Sequence, residues 1–378
     1  MHMFDVYPLM PLAPVSAEGC WVRGADGARY LDLYGGHAVI SIGHTHPRFV
    51  ERLRAQAGTL PYYSNAVHIA EQHQFAARLG AVSGLDDYAL FLCNSGAEAN
   101  ENALKLAAIH TGRRRVLACV RAFHGRTALA AAVTDSTPRS ASLCAADVTF
   151  IPLNDAAAFE RALGDDVACV ILEGVQGVGG VYEPEDDFLR LLRRRCSEVG
   201  ALLVLDEVQS GCGRTGDYFA FARSGVRPDL ISIAKGIGNG FPLAGVCIAP
   251  HIEPRHGALG STFGGGPLAC AAGLAVLDVL QAEDLQARAA RTGAWLLDAL
   301  RRIEGVREVR GRGLMIGFDV HGAAAPLRAR LLTGHHIITG SAAGAHTVRL
   351  LPPLCLDEEQ AQMFVHVLTQ ELQKETDE

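Results

Sequence analysis

Lys235 stands just after an apolar run, Leu230 to Ala234, and Gly236, Gly238, Gly240, Pro242 and Gly245 follow it. Burying a lysine costs free energy. A desolvated amine gives up its proton more readily and becomes a nucleophile toward carbonyl carbon. The glycines leave room for other atoms to come close to that amine. A lysine that reaches from a loop into solvent is the plainer alternative. Asp206 closes a second apolar run, Leu202 to Leu205. A carboxylate placed there needs a positive partner, and it serves otherwise as a helix cap or a structural ion pair. The two residues lie 29 positions apart, about one βαβ unit, which puts both at one edge of a parallel sheet.

Two more run ends carry polar chemistry. After "YALFLC" come Asn94, Ser95, Gly96 and Ala97, opening the helical stretch "EANENALKLAAIH". Free amides and a hydroxyl at such a turn suit a phosphate, although an ordinary Ser or Asn cap reads the same way. After "RVLACV" comes Phe123-His124-Gly125-Arg126-Thr127. Phe123 has the shape to wall a planar ligand and Arg126 the fork to grip a carboxylate; a core phenylalanine beside a surface arginine is the alternative. Taken together, a phosphate cradle, an aromatic wall, a buried acid and a desolvated lysine are what a pyridine-ring aldehyde with a phosphate arm requires. The amine condenses with the aldehyde, and the acid keeps the ring nitrogen protonated so that the ring accepts electrons.

The elements that must position these residues are legible in the same pattern. Apolar runs at 88–93, 115–120, 147–153, 167–174, 201–208, 229–236 and 244–250 alternate with helical stretches such as 187–199, where Phe188, Leu191, Leu192, Cys196 and Val199 fall at helical spacing. That rhythm predicts an α/β fold with a mainly parallel sheet, whose ligands bind beyond the carboxyl ends of the strands. Before it, "CWVRGADGARYLDLYGGH" predicts a hairpin turning at Asp26-Gly27. After it come one long helical stretch from Pro267 to about Leu300, strands within "VREVRGRGLMIGFDV" and "HTVRLLPPL", and a final amphipathic helix over 357–374. The division expected is 1–45 for the N-terminal part of a small domain, 46–270 for the large cofactor-binding domain, and 271–378 for a linking helix and the rest of the small domain.

Composition narrows the functional classes. The 378 residues carry a net charge of −7 and 41 glycines, a glycine content above the average of about 7%. No basic face suggests nucleic acid, and no apolar run approaches the roughly 18 residues of a membrane span. The ten cysteines, Cys144 among them, form no C-x-x-C pair, and read as small buried thiols in a reducing compartment. The expected location is the cytoplasm. His44 and His46 flank Thr45 without a third metal ligand in reach. His335-His336 reads as surface, and His124 is given no proton-transfer role.

Seven segments together make the chain resemble the subgroup-III, fold-type-I pyridoxal-phosphate aminotransferases, closest to those acting on acylornithines. They are "GGHAVISIGHTHP", "NSGAEANENALKLA", "AFHGRT", "LDEVQSGCGRTG", "AKGIGNGFPLAG", "GSTFGGGPLACAA" and "RGRGLMIGFDV". The resemblance implies a large domain with a mainly parallel central sheet flanked by helices, and a smaller α+β domain built from both chain ends. It implies pyridoxal 5′-phosphate held by Lys235, with Asp206 at the ring nitrogen. Val208 and Phe123 would lie on the two ring faces, Gln209 at the ring hydroxyl, and Ser95, Gly96 and Ala97 at the phosphate. Thr262 would reach the phosphate of the other subunit of a homodimer with shared active sites. Arg126 and Arg349 would take substrate carboxylates, Glu173 would stand near the substrate amine, and Asn65 and Ser261 would line the substrate side.

The resemblance also implies a reaction: the δ-amine moves between an acetyl- or succinylornithine and 2-oxoglutarate, whose aminated form is glutamate, and in a cell making arginine the net flow runs from glutamate to the acylornithine. Ornithine, γ-aminobutyrate or succinyldiaminopimelate as donor, an aminomutase or decarboxylase on the same scaffold, and a silent relative stay open. One departure stands out. Where the family has a second glutamate after E-P-x-Q-G, this chain reads Glu173-Gly174-Val175-Gln176-Gly177-Val178. In the family that glutamate masks the second arginine. Without it, Arg349 must be satisfied by the substrate's own acyl carboxylate, by another side chain such as Glu173, or by water. The first case favours a succinyl donor.

Overall fold

The computed structural model describes residues 1–135 and 147–377. Near the N-terminus, β1 (Pro14–Glu18), β2 (Trp21–Gly24) and β3 (Arg29–Asp32) pair antiparallel in sequence, with the β2–β3 turn at the expected Asp26-Gly27. The large sheet follows, from β4 (Ala89–Cys93), β5 (Arg115–Cys119), β6 (Val148–Ile151), β7 (Val167–Glu173), β8 (Leu202–Asp206), β9 (Leu230–Ile233) and β10 (Ala244–Ile248). Its spatial order is β4-β10-β9-β8-β7-β5-β6. The pairs from β9 through β6 are parallel, and β10 alone runs antiparallel to both its neighbours.

Every residue of β7, β8 and β9 is buried. Helices cover both faces of a parallel sheet, so these strands read as continuous apolar runs rather than alternating ones. The strands are shorter than the runs that announce them. Leu230–Ile233 stops before Ala234 because Lys235 turns into the left-handed region, φ 47°. The chain then reverses through Gly236–Leu243 into β10, where Gly245 lies against β4: a Cβ on it would sit 2.6 Å from the Phe91 carbonyl oxygen.

The C-terminal part holds β11 (Val306–Arg312), β12 (Met315–Val320), β13 (Ile337–Ile338), β14 (Gly340–Ser341) and β15 (Thr347–Leu350). β11-β12-β15-β14 make a third sheet, while β13 leaves it to pair in parallel with β3. Both chain ends therefore share one small sheet. The single helix expected from Pro267 to Leu300 is instead two, Pro267–Ala282 and Leu285–Leu300. The break falls at Asp284, φ 50°. The first helix is almost wholly buried and packs on helices Pro47–Thr59 and Ala70–Ser83. The second packs on β11 and the final helix, Glu358–Asp377, so the chain has to change direction between them.

Among the described residues no helix is long and apolar enough to cross a membrane, and no group of three His, Cys, Asp or Glu is placed to hold a metal ion. His44 binds Asp32 at 2.8 Å and His46 binds Glu283 at 2.9 Å. His335 binds Glu371 at 3.0 Å, and His336 is exposed. The described cysteines are all free, and eight of them are buried; Cys144 lies outside the described residues.

Candidate active site

The carboxyl ends of the parallel strands surround a cavity of about 500 Å³. Ser95, Gly96 and Ala97 enter it from the turn after β4, Phe123 and His124 from beyond β5, and Glu173 from the last position of β7. Asp206 ends β8, Val208 and Gln209 follow it, and Lys235 stands two residues beyond β9. Strand pairing places Glu173 directly beside Asp206, and Asp206 beside Ser232. Thus five separate run ends of the sequence converge on one volume.

Lys235 is half-buried only because it faces the cavity. Protein encloses it elsewhere, and this burial pushes its ammonium below the ordinary lysine value, against the pull of Asp206 and Glu173. No described group hydrogen-bonds its Nζ. Asp206 is buried and held from three sides. Its Oδ2 accepts from Asn100 Nδ2 at 2.7 Å and from His124 Nδ1 at 2.8 Å, and its Oδ1 accepts from the Val208 amide at 2.9 Å. Asn100 was missed in the sequence. It lies four residues after Gly96, on the face of helix Gly96–Thr111 that looks into the site. His124, left without a role, orients the acid.

The Ser95 hydroxyl accepts from the Glu98 amide at 3.2 Å, so it caps the helix. The first amides of that helix have no partner within it. Gly96 has to be glycine, because a Cβ there would lie 2.6 Å from Val208 Cγ1. Glu173 faces the cavity but is tied down: Oε1 accepts from the Phe123 amide and Oε2 from the Gly177 amide, each at 3.0 Å. Burial raises its carboxyl to about 7, with His124 opposing and Asp206 adding.

Arg349 is 3% exposed and does not line the cavity itself, but it is bonded to Gln209, which does. Among the described residues it has no carboxylate partner. Nη1 donates to Gln209 Oε1 at 3.3 Å, Nη2 donates to Tyr34 Oη at 3.3 Å, and Nε donates to the Ser341 carbonyl. Burial pushes its guanidinium below the ordinary value, and Tyr34 and Glu173 oppose that. Of the alternatives open in the sequence, Glu173 is therefore not a direct partner; Gln209 and Tyr34 are. Tyr34 carried no sequence signal, since it is reached across 315 positions. Val178 lines the cavity, and its carbonyl accepts from Ala343 at 2.9 Å, which docks the loop on the Arg349 side.

The remaining expected residues sit apart. Arg126 is exposed, with its guanidinium 5.8 Å from the Phe123 ring centroid and no hydrogen bond or ion pair to described residues. Asn65 and Ser261 line a second cavity of about 410 Å³ rather than the first. Asn65 Nδ2 donates to the Ser261 and Gly264 carbonyls, at 3.0 and 3.1 Å, and Asn94 Nδ2 donates to Ser261 Oγ at 3.1 Å. That links the second cavity to the Asn94–Ala97 turn. Thr262 is exposed, beside the tilted ring pair Tyr62 and Phe263, 5.4 Å apart and also exposed.

The family described as aminotransferase class-III matches residues 5–372. The chain is 42% identical to an acetylornithine aminotransferase of Mycolicibacterium smegmatis over 97% of this chain and 95% of that one. It is 37% identical to one from Methanosarcina mazei over 98% and 94%. An ornithine aminotransferase from Toxoplasma gondii superposes with a TM-score of 0.92 at 29% identity, covering 100% of this chain and 93% of that one. The chain belongs to the class-III aminotransferases and is a pyridoxal-phosphate-dependent transaminase. The cavity fits that cofactor: an unpartnered lysine amine, a carboxylate whose position is fixed by three donors, and helix-terminal amides at a glycine cradle converge on it.

Proposed function

We propose that this class-III aminotransferase moves the δ-amine between an N-acylated ornithine and 2-oxoglutarate, in the cytoplasm, within arginine biosynthesis. The observation that carries the reading is Arg349: a buried cation held only by neutral groups, beside a cavity already provided with an amine and an acid. Such a cation gains most from a carboxylate supplied by a bound molecule. Exposed Arg126, which follows the cavity-lining Gly125 and pairs with no described residue, offers a second carboxylate site, and two arginines match the two carboxylates of 2-oxoglutarate. The names of the full-length relatives agree on acetylornithine.

When bound, pyridoxal 5′-phosphate supplies an aldehyde and a ring that takes up the electron pair of a broken C–H bond. The chain's own residues do the rest. Lys235 would anchor the cofactor and, once the substrate amine displaces it, its amine, kept short of protons by burial, would carry the proton between the substrate δ-carbon and the cofactor's aldehyde carbon. Asp206 would hold the ring nitrogen. Ser95, Gly96 and Ala97 would hold the phosphate, Phe123 and Val208 the ring, and Gln209, which also steadies Arg349, the ring hydroxyl. Glu173 faces the incoming amine. Asn65 and Ser261 shape the approach through the second cavity. Thr262, exposed among Tyr62, Tyr63 and Phe263, would complete the site of a second copy, which makes the working unit a homodimer. The large domain would span 46–270, with both flanking segments forming the small one.

The test is a half-reaction without keto acid. N-acetylornithine, N-succinylornithine, ornithine and γ-aminobutyrate are mixed in turn with the yellow holoenzyme. Fastest bleaching by an acylornithine supports the reading. Ornithine is the second reading, favoured by the solved neighbour; bleaching by ornithine alone would establish it instead.

A further inference from the structure

Cys20 and Cys355 are separated by 335 positions, yet their Sγ atoms lie 3.6 Å apart. Cys20 is 2% exposed, at the β1–β2 turn. Cys355 follows the Arg349 strand and is the one described cysteine that is not fully buried. Gly43 makes room for the pair: a Cβ there would sit 2.9 Å from Cys355 Sγ. The surrounding backbone is tightly bound. The Leu354 amide donates to the Ser41 carbonyl at 2.7 Å, and the Asp32 amide to the Cys20 carbonyl at 2.8 Å. The Ser41 hydroxyl donates in turn to the Gly236 carbonyl at 2.6 Å. The two thiols thus stand where the N-terminal strands, the segment after Arg349 and the Lys235 loop meet.

We propose that Cys20 and Cys355 are a modification site, a dithiol that a peroxide converts to a disulfide clamping the two chain ends together. The thiols differ in the way such chemistry needs. A hydrogen bond from Cys20, with Arg288 nearby, holds the Cys355 thiol below the ordinary cysteine value. The same bond and burial push Cys20 well up. Cys355, the less buried of the two and so the one a peroxide reaches, is therefore the attacking thiolate and Cys20 the resolving thiol. Cys355 sulfur takes one oxygen from the peroxide, which is reduced, and becomes a sulfenic acid. Cys20 sulfur then attacks that sulfur, and its proton leaves with the displaced hydroxide as water. One peroxide and two thiols give one disulfide and two waters. Closing the bond needs the sulfurs to approach by about 1.5 Å, to the usual length of about 2.05 Å. The other described cysteines are buried, and burial raises their thiols, so they are poor competitors.

The holoenzyme is treated with hydrogen peroxide, quenched with an alkylating reagent, digested and mapped by mass spectrometry. The expected product is a Cys20–Cys355 linked peptide that dithiothreitol reverses. The oxidised protein should melt about 5 °C higher, because the bond closes a very long loop. In Cys20→Ser the link is lost and Cys355 proceeds to sulfinic acid; in Cys355→Ser Cys20 stays reduced. Cys355 oxidised to sulfinic acid in the wild type with Cys20 alkylated, or a linked protein that melts no higher, would overturn the proposal. If a serine variant fails to fold, the wild-type peptide map alone decides. None of these readouts depends on the amine donor.

Discussion

Replacing Val178 with glutamate restores a carboxylate to the wall next to Arg349. That guanidinium now donates two 3.3 Å bonds to the neutral acceptors Gln209 and Tyr34. Each of these bonds carries charge on the donor alone and contributes about 1.5–3 kcal/mol, and a carboxylate acceptor, charged as well, roughly doubles that. A built-in carboxylate forms the stronger, charge-assisted bond before any substrate arrives, and a dicarboxylate has to displace it. Val178→Glu should therefore lower kcat/KM for 2-oxoglutarate in its half-reaction by about 10- to 150-fold. N-succinylornithine, with a carboxylate at the far end of its acyl group, should fall similarly. N-acetylornithine has none there and should change by less than about 3-fold. Single-turnover absorbance changes for each half-reaction give the three constants separately. Equal falls for all three would mean that the glutamate only crowds the cavity. An unchanged succinyl-to-acetyl ratio, with 2-oxoglutarate unaffected, would refute the idea that Arg349 takes a substrate carboxylate.

Three other outcomes are expected. Asn100→Ala removes one of the three donors to Asp206, and should raise the cofactor dissociation constant about 10-fold in a titration of apoenzyme; an unchanged constant would make Asn100 a packing residue. Burial raises Glu173 and Glu207 to about 7 each. Both then keep protons in the folded state that the unfolded chain has lost, so their contribution to stability is fully present below about pH 4.5 and is lost as pH rises to 7, by up to about 1.4 kcal/mol per unit for each group. Apoenzyme melting followed across that range should show the decline, and Glu207→Gln should roughly halve its slope. Arg214 is fully buried with burial lowering it to about 10, and it donates to the Leu314, Pro352 and Ile40 carbonyls, which join three distant segments. Arg214→Ala leaves those carbonyls short of donors and opens a cavity. It should cost about 3 kcal/mol and lower the melting temperature by about 4 °C or more.

What the sequence determined by itself is the chemistry at the strand ends. Lys235, Asp206, Phe123 and the Ser95–Ala97 turn each follow an apolar run, and a parallel sheet collects such ends on one edge whatever the details of packing. Local patterns also sufficed for the β2–β3 hairpin and for the helices Gly96–Thr111, Asp186–Val199 and Glu358–Asp377. Tertiary structure decided the contacts that join distant segments. Arg349 meets Tyr34 and Gln209, Asn100 and His124 converge on Asp206, and Cys20 meets Cys355. None of these partners stands at a characteristic spacing, because each pair is set by how separate elements pack. The break at Asp284 and the two-residue strand β13 belong with them. The first is imposed by two helices needing different neighbours, and the second is too short to carry a period of its own. The departure at Val178 was visible in the sequence. Only the structure showed that neutral side chains hold the arginine the lost glutamate would have masked, because hydrogen-bond donors are satisfied by whatever the fold brings within reach.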